Sequence, residues 1–118
     1  MSALKKLTSI TLPQEIVAVP ELGEDAEIII RQMSVGDMLE FESQCFDDQG
    51  KSAIPFNEFM ITLLVCTMVD EDGNPIASMD VRDVLMNSLP GTVAMRLFKV
   101  ASRLNGLTAG GTDDIKKS

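Results

Sequence analysis

Leu63-Leu64-Val65-Cys66-Thr67-Met68-Val69 runs without a charge into Asp70-Glu71-Asp72-Gly73-Asn74-Pro75-Ile76. That join decides the reading of the chain. Pro55 fits the opening of a helix leading into it. Phe56, Phe59, Met60, Leu63, Leu64 and Thr67 mark one face of that helix, and Ile61, Val65 and Met68 make the opposite side almost as apolar. A helix apolar nearly all round is central to a core or part of an interface. The sequence therefore predicts this helix in the middle of the domain, ended by Asp70 and a reverse turn. A calcium loop would place its glycine sixth and a carboxylate twelfth. Counting from Asp70, Gly73 is fourth and Val81 is twelfth, so the turn reading stands.

Downstream, Asp80 is predicted to cap a short third helix, Val81-Arg82-Asp83-Val84-Leu85-Met86, that ends before Pro90. Pro90 opens the last helix, where its missing amide proton costs nothing. Val93, Leu97, Val100 and Leu104 repeat at helical spacing, broadened by Ala94, Phe98 and Ala101. Gly106 fits a left-handed stop and Leu107 its apolar clasp. Upstream, Pro13 and Pro20 bracket the β-branched stretch Gln14-Glu15-Ile16-Val17-Ala18-Val19, and Ala26 to Met33 reads as a second strand. The Gly23-containing loop between them suggests a β-hairpin. Ser34 caps a first helix from Val35 to Phe46, with Asp37 three residues on. Its stripe is Met38, Leu39, Phe41 and Cys45, with Glu42 on the margin.

The expected architecture is α+β and mostly helical, an N-terminal β-hairpin packed on about four helices. Residues 1–13 read as a flexible arm, 14–107 as one globular domain and 108–118 as a disordered tail. The expected core contains Leu39, Phe59, Leu63, Leu64, Leu85, Leu97, Val100 and Leu104.

The chain has no histidine, tyrosine or tryptophan. It contains neither a Gly-x-Ser-x-Gly elbow nor a phosphate-binding glycine loop. The reading is accordingly not an enzyme, with no catalytic, cofactor-binding or metal residues. Net charge is −8, and sixteen acidic residues lie between Glu15 and Asp83 against Arg31, Lys51 and Arg82. Such a surface repels phosphate backbones and anionic lipid, so neither nucleic acid nor membrane is an expected partner. No apolar run approaches the roughly 18 residues of a membrane span, and the N-terminus lacks the apolar core of a secretory signal. Cys45 and Cys66 read as small buried hydrophobes in a reducing cytoplasm.

Two groups are candidates for partner binding. The chain has eight methionines, and Met60, Met68, Met79 and Met86 cluster around the third helix. They serve either as core fillers or as an adaptable apolar surface. Arg96, Lys99 and Arg103 share one face of the last helix. Three readings stay open for them: a solvated face, pairing with Asp37, Glu40 and Asp47 of the first helix, or contact with a partner or a second copy.

The order of these parts resembles the tail assembly chaperone family of long-tailed, lambda-like siphophages. The resemblance rests on three phrases: Ile30-Arg31-Gln32-Met33-Ser34-Val35-Gly36-Asp37, Val69-Asp70-Glu71-Asp72-Gly73-Asn74-Pro75-Ile76 and Arg103-Leu104-Asn105-Gly106-Leu107. It covers roughly Glu15 to Leu107. It implies a non-enzymatic protein of the host cytoplasm that keeps the tape measure protein, the tail tube protein or both soluble, and that is absent from the mature virion. It also implies a longer form made by ribosomal frameshifting. Lys116-Lys117 suits a slipping adenine run and is equally an ordinary tail. The alternative is a structural completion or connector protein retained in the virion.

Overall fold

The computed structural model describes residues 2–107. The expectation for 108–118 lies outside them. Among the described residues there are five α-helices and a three-stranded antiparallel sheet of order β1-β2-β3. The fold is α+β and mostly helical, as the sequence predicts.

The hairpin pairs β1 (Gln14–Ala18) with β2 (Glu27–Arg31), placing Glu15 opposite Ile30 and Val17 opposite Ile28. Alternation sends Val17 and Ile30 into the core. A 3-10 turn, Pro20–Leu22, lies between the strands. Ser34 caps α2 (Val35–Cys45) in a full capping box: its hydroxyl accepts from the Asp37 amide at 3.2 Å, and the Asp37 carboxylate accepts from the Ser34 amide at 3.3 Å. Two of the first-turn amides are thereby satisfied.

Helix α3 (Phe56–Thr67) buries every residue from Ile61 to Val65. It packs against α2, α4 (Arg82–Ser88), α5 (Gly91–Leu104) and β2. Its two buried threonines turn their hydroxyls back on the helix, Thr62 donating to the Glu58 carbonyl at 2.6 Å and Thr67 to that of Leu63 at 2.7 Å. Neither polar group is left unpaired. Helix α5 ends in a Schellman stop. Gly106 takes φ +70, its amide donates to the Arg103 carbonyl at 3.3 Å, and the Leu107 amide donates to that of Ser102 at 2.7 Å.

Four features differ from the sequence reading. The apolar run does not stay helical to Asp70: Met68–Val69 forms β3, with Met68 opposite Ile30 and Val69 opposite Ile29. The free edge of β2 supplies a ladder that satisfies these backbone groups as well as another helical turn would. Leu39 is 61% exposed. The buried stripe of α2 is Met38, Phe41 and Cys45, and Leu39 is rotated about 100° from Met38. Asp80 does not cap α4. A 3-10 turn, Met79–Val81, precedes that helix, and the Asp80 carboxylate accepts from the Ser78 hydroxyl instead. Finally, the N-terminal stretch contains a short helix, α1 (Ala3–Thr8), with no buried residue.

Of the other expected core residues, Leu63, Leu64 and Leu97 are fully buried, while Phe59, Leu85, Val100 and Leu104 are half-buried against them. Replacing Leu63 by Ala should cost about 2–5 kcal/mol. Replacing Leu39 by Ala should stay within about 0.5 kcal/mol. Chemical denaturation of both variants measures the contrast, and equal losses would contradict the central position of α3.

Candidate partner-binding surface

The four candidate methionines do not share one environment. Met68, in β3, is a core residue and presents no surface. Met60 on α3, Met79 in the 3-10 turn before α4 and Met86 on α4 are half-buried. The Asn57 side-chain amide donates to the Met86 sulfur at 3.6 Å across the α3–α4 seam. Arg82 ties the same seam together, 3.3 Å from the Glu58 carboxylate and 3.3 Å from the Thr62 hydroxyl. Phe56 and Val84 are exposed on the same two helices. The sequence reading placed Phe56 on a buried face. Its exposure follows from its position at the first turn of α3, where packing is one-sided.

The basic residues of α5 are used differently from the expectation. Arg96 forms a two-pronged bond to Glu21, at 2.8 and 2.5 Å, and also donates to the Ala18 carbonyl at 3.3 Å. Arg103 meets Glu15 at 2.7 Å. Both partners belong to the hairpin, not to α2. The hairpin lies along α5, so its carboxylates reach the arginines first. Lys99 makes no ion pair among the described residues. Hydrogen bonding from the Arg96 guanidinium holds the Glu21 carboxyl down at about 2.

The three sequence phrases converge. The Met33 amide donates to the Asn105 side-chain oxygen at 2.7 Å, and the Gln32 side-chain amide donates to the Leu104 carbonyl at 2.9 Å. The Asn105 amide nitrogen turns back on the Ala101 carbonyl at 2.8 Å. The exit of β2 and the end of α5 are thus clamped together. Arg31 of the first phrase reaches across to the second, and its guanidinium lies 3.0 Å from where a β-carbon on Gly73 would sit. Gly73 also has φ +83, so any side chain there would be strained and crowded.

The Asp70 turn is held by its own carboxylate, which accepts from the Asp72 and Asn74 amides, both at 2.9 Å. Among the described residues, no three His, Cys, Asp or Glu side chains are placed to share a metal ion. Burial pushes the Cys45 and Cys66 thiols up to about 11, so both stay protonated near neutral pH. Both cysteines are free. No helix among the described residues is long and apolar enough to cross a membrane.

No protein-family model and no curated protein matches this chain. Among solved structures, the bacteriophage HK97 tail assembly chaperone superposes on 88% of this chain and 98% of its own, with a TM-score of 0.61 at 24% identity. This chain therefore shares the fold of a phage tail assembly chaperone along almost its whole described length.

The clamp and the ion pairs generate two expectations. Asn105→Ala leaves the Met33 amide without its acceptor and should cost about 1–3 kcal/mol in urea denaturation. A loss no larger than at an exposed site would contradict the clamp. The Glu21 carboxyl sits near 2 in the folded protein against an ordinary 4.5. A depressed carboxylate contributes stability that is present above 4.5 and lost as pH falls towards 2. Melting temperature should fall across that window, and the Arg96→Gln variant should lose part of the dependence.

Proposed function

We propose that this chain is a non-enzymatic phage tail assembly chaperone. It holds the tape measure protein, the tail tube protein or both soluble in the host cytoplasm, and it leaves before the virion is complete. The observation that carries this reading is the fold shared over 88% of the chain with a tail assembly chaperone. The contacts among the three phrases support it: the first meets the third at the Asn105 clamp and the second through Arg31 at Gly73.

The binding chemistry is apolar. Met60, Met79 and Met86 border the α3–α4 seam, flanked by the exposed Phe56 and Val84. Methionines repack against varied ridges, which suits capture of an amphipathic helix. The acidic surface steers basic partners and keeps the carrier itself dispersed. Lys99 is the one candidate cation of α5 left to contact a partner, with Arg96 and Arg103 engaged on the hairpin.

Co-expression with a candidate tape measure or tail tube protein tests this. The chain should raise the soluble fraction of that protein, and mass spectrometry should not detect it in purified particles. Stoichiometric presence in particles with unchanged solubility would replace the reading by that of a structural tail component. Within a positive result, exchanging Met86 and Val84 for Glu should reduce the soluble fraction while leaving the carrier folded.

A further inference from the structure

The outer face of the sheet is open and apolar. The register aligns Ile16, Ile29 and the buried Val69 across the three strands, Pro75 continues that row opposite Val69, and Ile76 beside it lines the same groove. Strands sit about 4.8 Å apart, so the row is a floor of roughly 14 Å. Ile16 is 56% exposed and Ile76 48%. A groove of about 450 Å³ lies over them. Its lining is acidic: Glu27, Asp70, Glu71 and Asp72. Glu27, Glu71 and Asp72 make no ion pair among the described residues.

The complementary surface is on the same chain. Helix α1 exposes Leu4 and Leu7, 70% and 68% accessible, and Ile10 follows at 62%. Leu4 and Leu7 are neighbours on one side of the helix. Lys5 and Lys6 flank them, and neither is in an ion pair among the described residues. All four arginines, by contrast, are already paired with carboxylates. The arm joins an unpartnered apolar ridge to two unpaired cations. In the single chain it does not touch the core.

We infer that the arm of one copy, residues 2–12, docks on the acid-lined outer sheet face of a second copy. Leu4, Leu7 and Ile10 cover Ile16, Ile29 and Ile76, and Lys5 and Lys6 meet Glu71 and Asp72. Burial of the ridge supplies the attraction and the charges set which way the arm lies. The inference stands on these two surfaces and does not depend on the chaperone reading.

Charge exchange tests it on the full chain. One variant carries Lys5→Glu and Lys6→Glu, the other Glu71→Lys and Asp72→Lys. All four side chains are exposed, and circular dichroism with a thermal melt checks that each variant is folded. Sedimentation velocity over a concentration series should show wild-type protein passing from monomer to a larger species. Each variant alone should need about tenfold more protein to do so, a change of about 1.4 kcal/mol. An equimolar mixture of the two should restore association, because the unaltered arm of the second variant meets the unaltered groove of the first, and the reversed arm of the first meets the reversed groove of the second. A wild-type chain that stays monomeric throughout, variants that associate like wild type, or a mixture that gains nothing would each overturn the proposal. Deleting residues 2–10 separates the remaining case: if the deletion unmasks the Ile16 and Ile76 methyl groups in monomer by NMR, the arm covers its own groove and the second-copy assignment fails.

Discussion

Helix α3 has no side that tolerates water. Ile61 to Val65 are consecutive and all buried, and consecutive helical residues point in every direction around the axis. The chain must therefore surround this one helix. Helix α2 closes one flank through aromatic contact: Phe41 meets Phe59 edge-on at 5.4 Å and Phe46 at 6.5 Å. Helix α5 closes another through Phe98, 5.4 Å from Phe56 and 6.2 Å from Phe59. All five phenylalanines of the chain belong to this network. Edge-to-face contact favours particular relative orientations beyond the area it buries. The network thus specifies how α2, α3 and α5 cross as well as that they meet.

The sheet joins that core through Val17, Ile30 and Met68, and hydrogen bonds fix how it is held. Helix α3 passes directly into β3, and two residues of β3 pair with β2. Just past the end of β2, the Asn105 side chain accepts from the Met33 amide and the Gln32 side chain donates to the Leu104 carbonyl. The hairpin is consequently tethered to the end of α3 and to the end of α5. The Arg96–Glu21 and Arg103–Glu15 pairs lie along the same contact. Exposed pairs of this kind contribute little stability. Their consequence is orientation, because they set α5 against β1 and the adjoining turn.

Much of this was legible because it depends on local chemistry. The Ser34 box, the Gly106 stop and the hairpin each need only a few adjacent residues, and each forms as read. What failed to show were the choices made by distant partners. Met68 and Val69 extend a helical pattern as well as they fill a strand, and only the free edge of β2 decides between them. Leu39 fits a broad apolar stripe until the aromatic network settles the rotation of α2. The basic face of α5 was visible as a face, but its partners were sought on α2. The packing of the hairpin along α5, a long-range choice, gives those arginines Glu21 and Glu15 instead. The exposed ridge of Leu4, Leu7 and Ile10 carried a usable signal, apolar residues three apart beside two lysines.

The proposed function puts a thermodynamic limit on the surfaces described above. On that reading the carrier spends no nucleotide to eject its partner. Release must then come from competition, with the assembled tail offering the partner a lower free energy than the carrier does. Tight, rigid complementarity would defeat that. The half-buried methionines of the α3–α4 seam are suited to the opposite task, since they gain contact with many ridges and are specific to none. The same constraint explains why such a protein needs strong negative charge. Apolar surface open enough to hold a partner is open enough to stick to itself, and a net charge of −8 opposes that indiscriminate association. A cationic arm is suited to cross this barrier, which makes contact between copies selective instead of general.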